Sequence, residues 1–180
     1  MHRVTTRIAA AALFVGLAAP VAAQQAALSP LKRDMMAQFD DAATKVIQLA
    51  EAIPAEKYAW RPAPGVRSVR EVLGHVAGGN IFILRSVGVE PTGAMLPDSV
   101  MDKARVVASV KAAADHFRNA LRNANEADFD KAVTLFGSIN TTQRGTYMLL
   151  ISHNHEHLGQ LIAYARSNGV TPPWSMAGGN

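Results

Sequence analysis

Apolar side chains recur every three or four residues along four stretches of the chain, and polar, proline- and glycine-rich segments separate them. That spacing belongs to helices with one buried face. The first stretch runs from about Ser29 to Ala52, with Met35, Met36, Phe39, Ala43, Val46, Ile47 and Ala50 on one side. Ser29-Pro30 supplies a cap and a first-turn proline. The second starts at Ser68, a good N-cap, and ends near Gly88; Val69, Val72, Val76, Ile83 and Val87 share its face. The third runs from Asp98 or Ser99 to Asn123 on a spine of Val106, Val107, Val110, Ala114, Phe117 and Leu121. The fourth, Thr146 to Ser167, carries Tyr147, Leu150, Ile151, Leu158, Leu161, Ile162 and Ala165. Gly169 with Pro172 and Pro173 ends it. Four such helices predict an all-α protein, a four-helix bundle with antiparallel packing and no substantial sheet. Between the third and fourth, Asp128 to Ile139 reads as irregular, with Val133 to Phe136 briefly extended.

The start of the chain follows another pattern. His2, Arg3 and Arg7 precede an apolar run from Ile8 to Ala19, then Pro20 and the small residues Val21-Ala22-Ala23. This is the layout of a secretory signal peptide, and the run is too short for an ordinary membrane span. The expectation is a signal peptide over residues 1–23, a bundle domain over residues 24–180, and a periplasmic or secreted bacterial protein with no membrane anchor after cleavage. Cleavage would remove Arg3 and Arg7 and lower the formal charge from +4 to +2. With no Lys/Arg cluster, nucleic acid is excluded as a partner. The chain contains no cysteine, which excludes disulfides and thiolate metal sites.

The chemistry-bearing pattern lies on the fourth helix, in SHNHEHLGQL. Four helical steps return to within about 40° of the starting direction. His153 and His157 therefore stack one turn apart and can share a divalent metal ion, with Gln160 on the same side. His155 and Glu156 point elsewhere on a helix. Two imidazoles make a poor site, since zinc takes three or four protein ligands. His75, on the border of the second helix's apolar face, is the candidate third. His116 competes with it, but its neighbours Asp115 and Arg118 place it on a solvated face. Asn154 and Gln160 are the local groups able to orient the ligand imidazoles. Gly78-Gly79 reads as close helix packing or room beside a metal, and Tyr58 and Trp60 as a plug of the core rather than a lid. No Ser/His/Asp set, phosphate loop or general base is evident.

Two runs together resemble a known family: AIPAEKYAWRPAPGVRSVREVLGHV, and LFGSINTTQRGTYMLLISHNHEHLGQLIAYARSNGVTPPWS. The Trp60-Arg61-Pro62 turn before a helix carrying His75, and the H-x-x-x-H-x-x-Q helix ending Gly-x-x-Pro-Pro, are similar to the DinB-like (DinB/YfiT) superfamily. Within it the chain resembles an exported branch. The resemblance implies a four-helix bundle of the DinB/YfiT type and a divalent metal held by His75, His153 and His157. Zinc or nickel is the expected ion, with iron or manganese as alternatives, since imidazole ligands suit several of these. It implies a metal-dependent enzyme of hydrolase or thiol-transferase type acting on a small molecule, with a non-catalytic metal-binding or stress-related bundle as the alternative. A homodimer is a further expected assembly.

Overall fold

A computed structural model of the chain describes residues 28–91 and 102–176. The expected signal peptide, and the expected start of the third helix at Asp98 or Ser99, lie outside them. Four long helices form the body: α1 Pro30–Ala52, α2 Val69–Phe82, α3 Lys103–Asn123 and α4 Gln143–Ser167. A short α5, Pro173–Met176, follows.

Local chemistry sets the helix ends. Ser29 Oγ accepts from Lys32 N at 3.2 Å, with Pro30 opening α1. Ser68 and Glu71 form a reciprocal capping box on α2, which satisfies two backbone donors at once. Asp102 caps α3, and Thr142 caps α4 by accepting from Gly145 N, so that the helix starts at Gln143, three residues before the expected Thr146. Beyond Phe82 the second helix tightens into a 3-10 turn, Ile83–Val87, and Gly88 ends it at φ +79°, a left-handed conformation that glycine adopts without a Cβ penalty.

The helix directions correct the antiparallel expectation. Lys32 reaches the carbonyls of Arg122 and Ala124, while Lys103 reaches those of Glu51 and Ile53, so α3 runs opposite to α1. Tyr164, late in α4, bonds the carbonyl of Arg67 just before α2. Tyr147, early in α4, bonds that of Ala120 late in α3. The bundle is therefore up-down-down-up. α2 packs chiefly on its parallel neighbour α3, and α1 on its parallel neighbour α4. A long connection from α2 to α3 is what parallel neighbours require, since the chain must return the length of the bundle.

The segment before α4 contains more structure than its irregular sequence suggests. Strand β1, Ala132–Leu135, pairs antiparallel with β2, Ile139–Thr142, in a register from Ala132 opposite Thr142 to Leu135 opposite Ile139. β-Branched Ile139, Thr141 and Thr142 favour the second strand. At the tip, Phe136 and Gly137 both have positive φ, +53° and +73°. This hairpin is the only sheet among the described residues. No described helix is long and apolar enough to cross a membrane.

Candidate metal centre

His75 comes from the middle of α2, and His153 and His157 from successive turns of α4. Because α2 and α4 run in opposite directions side by side, the three rings meet between them. One ligand nitrogen from each lies within 4.8 Å of the others. The Nε2 atoms of His75 and His153 are 3.1 Å apart, and the ring centroids are 4.9, 4.8 and 4.5 Å apart. Nitrogens bound to one tetrahedral ion at 2.0–2.1 Å would sit roughly 3.3 Å from each other. The cluster could hold a divalent metal ion with little movement.

Its electrostatics suit that role. Burial lowers the proton affinity of His153 to a pKa of about 4, with the charges of His157, His75 and Arg67 adding to the effect. At neutral pH this imidazole is unprotonated and offers a lone pair. Its Nε2 and that of His75, 3.1 Å apart, either share a proton or converge on a cation.

A relay defines the state of His157. Gln160 Nε2 donates to the Tyr164 hydroxyl at 2.9 Å, which leaves Gln160 Oε1 as the acceptor facing His157 Nδ1 at 2.8 Å. The proton of His157 therefore sits on Nδ1, and Nε2 turns toward the cluster. Tyr164 in turn donates to the carbonyl of Arg67 at 3.1 Å. Such hydrogen bonds orient ligand imidazoles and raise their basicity. The sequence pointed to Gln160 but not to Tyr164, although the spacings 157, 160 and 164 place all three on one helix face.

Packing holds His153. A Cβ built on Gly79 would lie 2.7 Å from His153 Cε1 and 3.2 Å from Nδ1, so only glycine leaves room for the ring. Of the two readings of Gly78-Gly79, Gly79 fits space beside the metal site, while Gly78 meets only Phe82, at 4.0 Å. His153 Nδ1 itself is buried with no hydrogen-bond partner.

Other candidates lie elsewhere. Asn154 donates to Asn80 Oδ1 at 2.7 Å and to the Leu150 carbonyl at 2.8 Å, and accepts from Asn80 at 3.2 Å; it ties α4 to α2 instead of orienting a histidine. His155 meets the Ile151 carbonyl and faces a separate groove beside Leu31 and Met148. His116 is not on a solvated face: it is 7% exposed, because α3 packs on α1 as well as α2 and so buries a wide arc. Burial lowers its pKa. Glu156 is exposed. Tyr58 is the plug expected of it, with its hydroxyl on the Ala50 carbonyl, and Trp60 packs edge-on against Tyr164.

The site opens on a cavity of about 1050 Å³ whose lining includes His75 and His153. Its walls are mostly apolar, and Arg61, Arg67 and Arg70 stand along them.

Comparison with known proteins identifies the family and the fold. The family model of the DinB superfamily matches residues 38–161. This chain belongs to the DinB superfamily. No curated protein sequence matches it. Among solved structures, a DinB-like protein from Bacillus cereus superposes with a TM-score of 0.69 at 19% identity, covering 78% of this chain and 95% of the other. A DinB-like protein from Bacillus subtilis, YjoA, gives 0.61 at 21% identity, covering 77% and 93%. YfiT from Bacillus subtilis gives 0.64 at 15% identity, covering 81% and 93%, and is described as a probable metal-dependent hydrolase with an unusual four-helix bundle topology. At these identities the likeness shows the fold. The up-down-down-up bundle is thus a DinB/YfiT four-helix bundle.

Proposed function

We propose that this DinB-superfamily protein is a metal-dependent hydrolase acting on a small molecule, with His75, His153 and His157 as its metal ligands. One observation carries the reading: three imidazole nitrogens within 4.8 Å of one another, at the edge of a cavity of about 1050 Å³. Structural zinc sites take four protein ligands, whereas catalytic ones take three and leave a position open. The description of YfiT as a probable metal-dependent hydrolase supports the same assignment.

A divalent ion held there would acidify a water ligand toward a pKa of ~7 and polarise an oxygen of the substrate. The chain's own contribution is to present three imidazoles, His153 among them held unprotonated by burial, fix His157 through Gln160 and Tyr164, and wall the site with apolar side chains. Glu71, the one carboxylate on the cavity wall among the described residues, is engaged by the Ser68 backbone and Arg61. Those bonds lower its pKa and occupy both its oxygens, so Glu71 is not placed to act as a general base. The basic start, apolar run and Val21-Ala22-Ala23 sequence support export of the protein.

The test is metal analysis of the purified protein beside its His153→Ala and His155→Ala variants, followed by an ester and amide hydrolysis panel with and without chelator. Wild type and His155→Ala should hold ~1 ion per chain, His153→Ala close to none, and hydrolysis should stop with chelator. Equal metal content in all three would overturn the ligand assignment. Full metal content with no chelator-sensitive turnover on any member of the panel would remove the support for hydrolysis.

A further inference from the structure

The cavity beside the histidines is unequal in charge. Arg61, Arg67 and Arg70 line it, all from the turn before α2 or from that helix's first turn. Glu71 is the single acidic group on the wall among the described residues. Arg61 is matched: it pairs with Glu71 at 3.1 Å and donates to the Val66 carbonyl at 3.1 Å. Arg70 is not matched in the same way. Its Nε is buried and has no hydrogen-bond partner. A buried donor without an acceptor costs free energy unless a partner arrives. Arg67 is exposed at the cavity edge, and its charge acts on His153, so it stands within electrostatic reach of the metal ligands.

The backbone offers an anion nothing further here. The first donors of α2 are already used: Val69 N on the Trp60 carbonyl, Arg70 N on that of Tyr58, and Glu71 N on Ser68 Oγ. Recognition of negative charge at this end therefore falls on the guanidinium groups. Much of the remaining lining is apolar, with Val66, Ile81, Phe82, Val106 and Leu149. Phe136 joins them from the hairpin tip. It is 71% exposed and has φ +53°, an unfavourable conformation for a bulky residue.

We propose that the cavity binds an organic anion with an apolar body, its carboxylate or phosphate group held by Arg67 and Arg70 and its body packed against Phe82, Leu149 and Phe136. Guanidinium groups bind such oxyanions through charge-assisted, often paired hydrogen bonds. The arginines approach the cavity from the N-terminal end of α2, and His75 and His153 lie further along it. A substrate anchored at its anionic end would thus present a bond in its body, not the anion itself, to the metal ligands. This assignment rests on the reading of the cavity as a small-molecule site, but not on bound metal.

Titration of the full chain with 2-naphthoate and with its neutral counterpart 2-naphthalenemethanol tests it, in metal-loaded and in chelator-treated protein. Naphthoate should bind wild type roughly tenfold or more tightly than the alcohol, with or without metal. Arg67→Gln/Arg70→Gln should remove that preference, leave the weak affinity for the alcohol unchanged, and keep the metal content of wild type. The single Arg67→Gln change lies outside any helix and should remove part of the preference, which guards against misfolding of the double variant. Equal affinity of wild type for the two compounds would overturn the proposal. So would a naphthoate preference that survives both substitutions and disappears with chelator, since the carboxylate would then be a metal ligand. Failure of the hydrolase assignment would show differently, as intact arginine-dependent binding with no turnover.

Discussion

The two halves of the bundle are packed with different materials. At the end holding the start of α1 and the end of α3, the core is aromatic. Phe39 and Phe117 stack with ring centres 3.8 Å apart, Tyr147 meets Phe117 edge-on at 5.8 Å, and Phe129 closes on Tyr147 at 5.9 Å. Burial holds the Tyr147 phenol at a pKa of about 12. At the other end the core is built from smaller aliphatic residues, Val46, Val69, Val72, Val76, Val110, Leu158 and Leu161 among them, with Tyr58 as its one fully buried ring. The Asn80–Asn154 pair lies between, for Leu150 and Leu84 belong to the aromatic cluster while Leu158 and Ala77 belong to the aliphatic one. His75, His157 and the arginines lie along the aliphatic half, His153 sits at the boundary beside Asn154, and the cavity extends from there to Ile83, Leu149 and Phe136 near the hairpin tip. Large rings lock one half by area and stacking. Small side chains let α2 and α4 approach closely enough in the other half for three imidazoles to meet.

If that division of labour is right, damage to the aromatic half lowers stability and leaves metal binding alone. Phe117→Ala should destabilise the fold by about 3–5 kcal/mol, the usual cost of emptying a buried aromatic site, as read by urea unfolding of the metal-free protein. Metal affinity measured at a temperature where the variant is still folded should match wild type. A parallel fall in affinity would show that the two halves act as one unit.

The converse change is Gly79→Ala. Its new methyl would lie 2.7 Å from His153 Cε1, and the ring, at the end of a side chain, can swing away more cheaply than the helix can bend. Alanine also favours a helix over glycine by about 1 kcal/mol. Thermal stability should hold or rise, while metal affinity falls at least about tenfold, because ligand distances tolerate only ~0.2 Å. Gly78→Ala, with only Phe82 at 4.0 Å, should leave both unchanged. An unaltered affinity in Gly79→Ala would mean that the space beside this glycine does not position His153.

Helix phase in the sequence was enough to select His153 and His157 and to set His155 aside, and the border position of His75 on its own stripe anticipated its place beside them. The periodicity of the four stripes likewise gave α1 to within a residue and the end of α4, though α4 begins three residues before the expected Thr146. Direction was not legible, since a stripe looks the same whether its neighbour runs parallel or antiparallel. The capping lysines Lys32 and Lys103, which reveal the directions, act across 90 and 50 residues of sequence. His116 was misread for a related reason: its charged neighbours suggested solvent, but a helix packed against two others buries more of its circumference. The arginines of the cavity escaped notice because Arg61, Arg67 and Arg70 share no helical face; the turn before α2 brings them together. Asn154 sat at the right phase for a metal neighbour, and only the position of Asn80 on the facing helix shows where its amide goes.

The smallest effect expected is also the most specific to the relay. Gln160→Ala removes the acceptor of His157 Nδ1 without emptying a core position, since Gln160 is only partly buried. Stability should change by well under the cost of Phe117→Ala, and metal affinity should drop about 10–100-fold, the usual loss when the partner of a ligand imidazole is removed. Gln160→Glu supplies a stronger acceptor at the same place and should restore affinity to wild-type level or above. Tyr164→Phe lies one bond further out. It keeps the Gln160 acceptor but cuts the link to the Arg67 carbonyl, so its effect on metal should be smaller than that of Gln160→Ala. Competition titration with a chromogenic chelator would rank the three variants. An order with Tyr164→Phe worst would place the control of His157 in the loop before α2 rather than in Gln160, and the aliphatic half would then depend on that loop as much as on close helix packing.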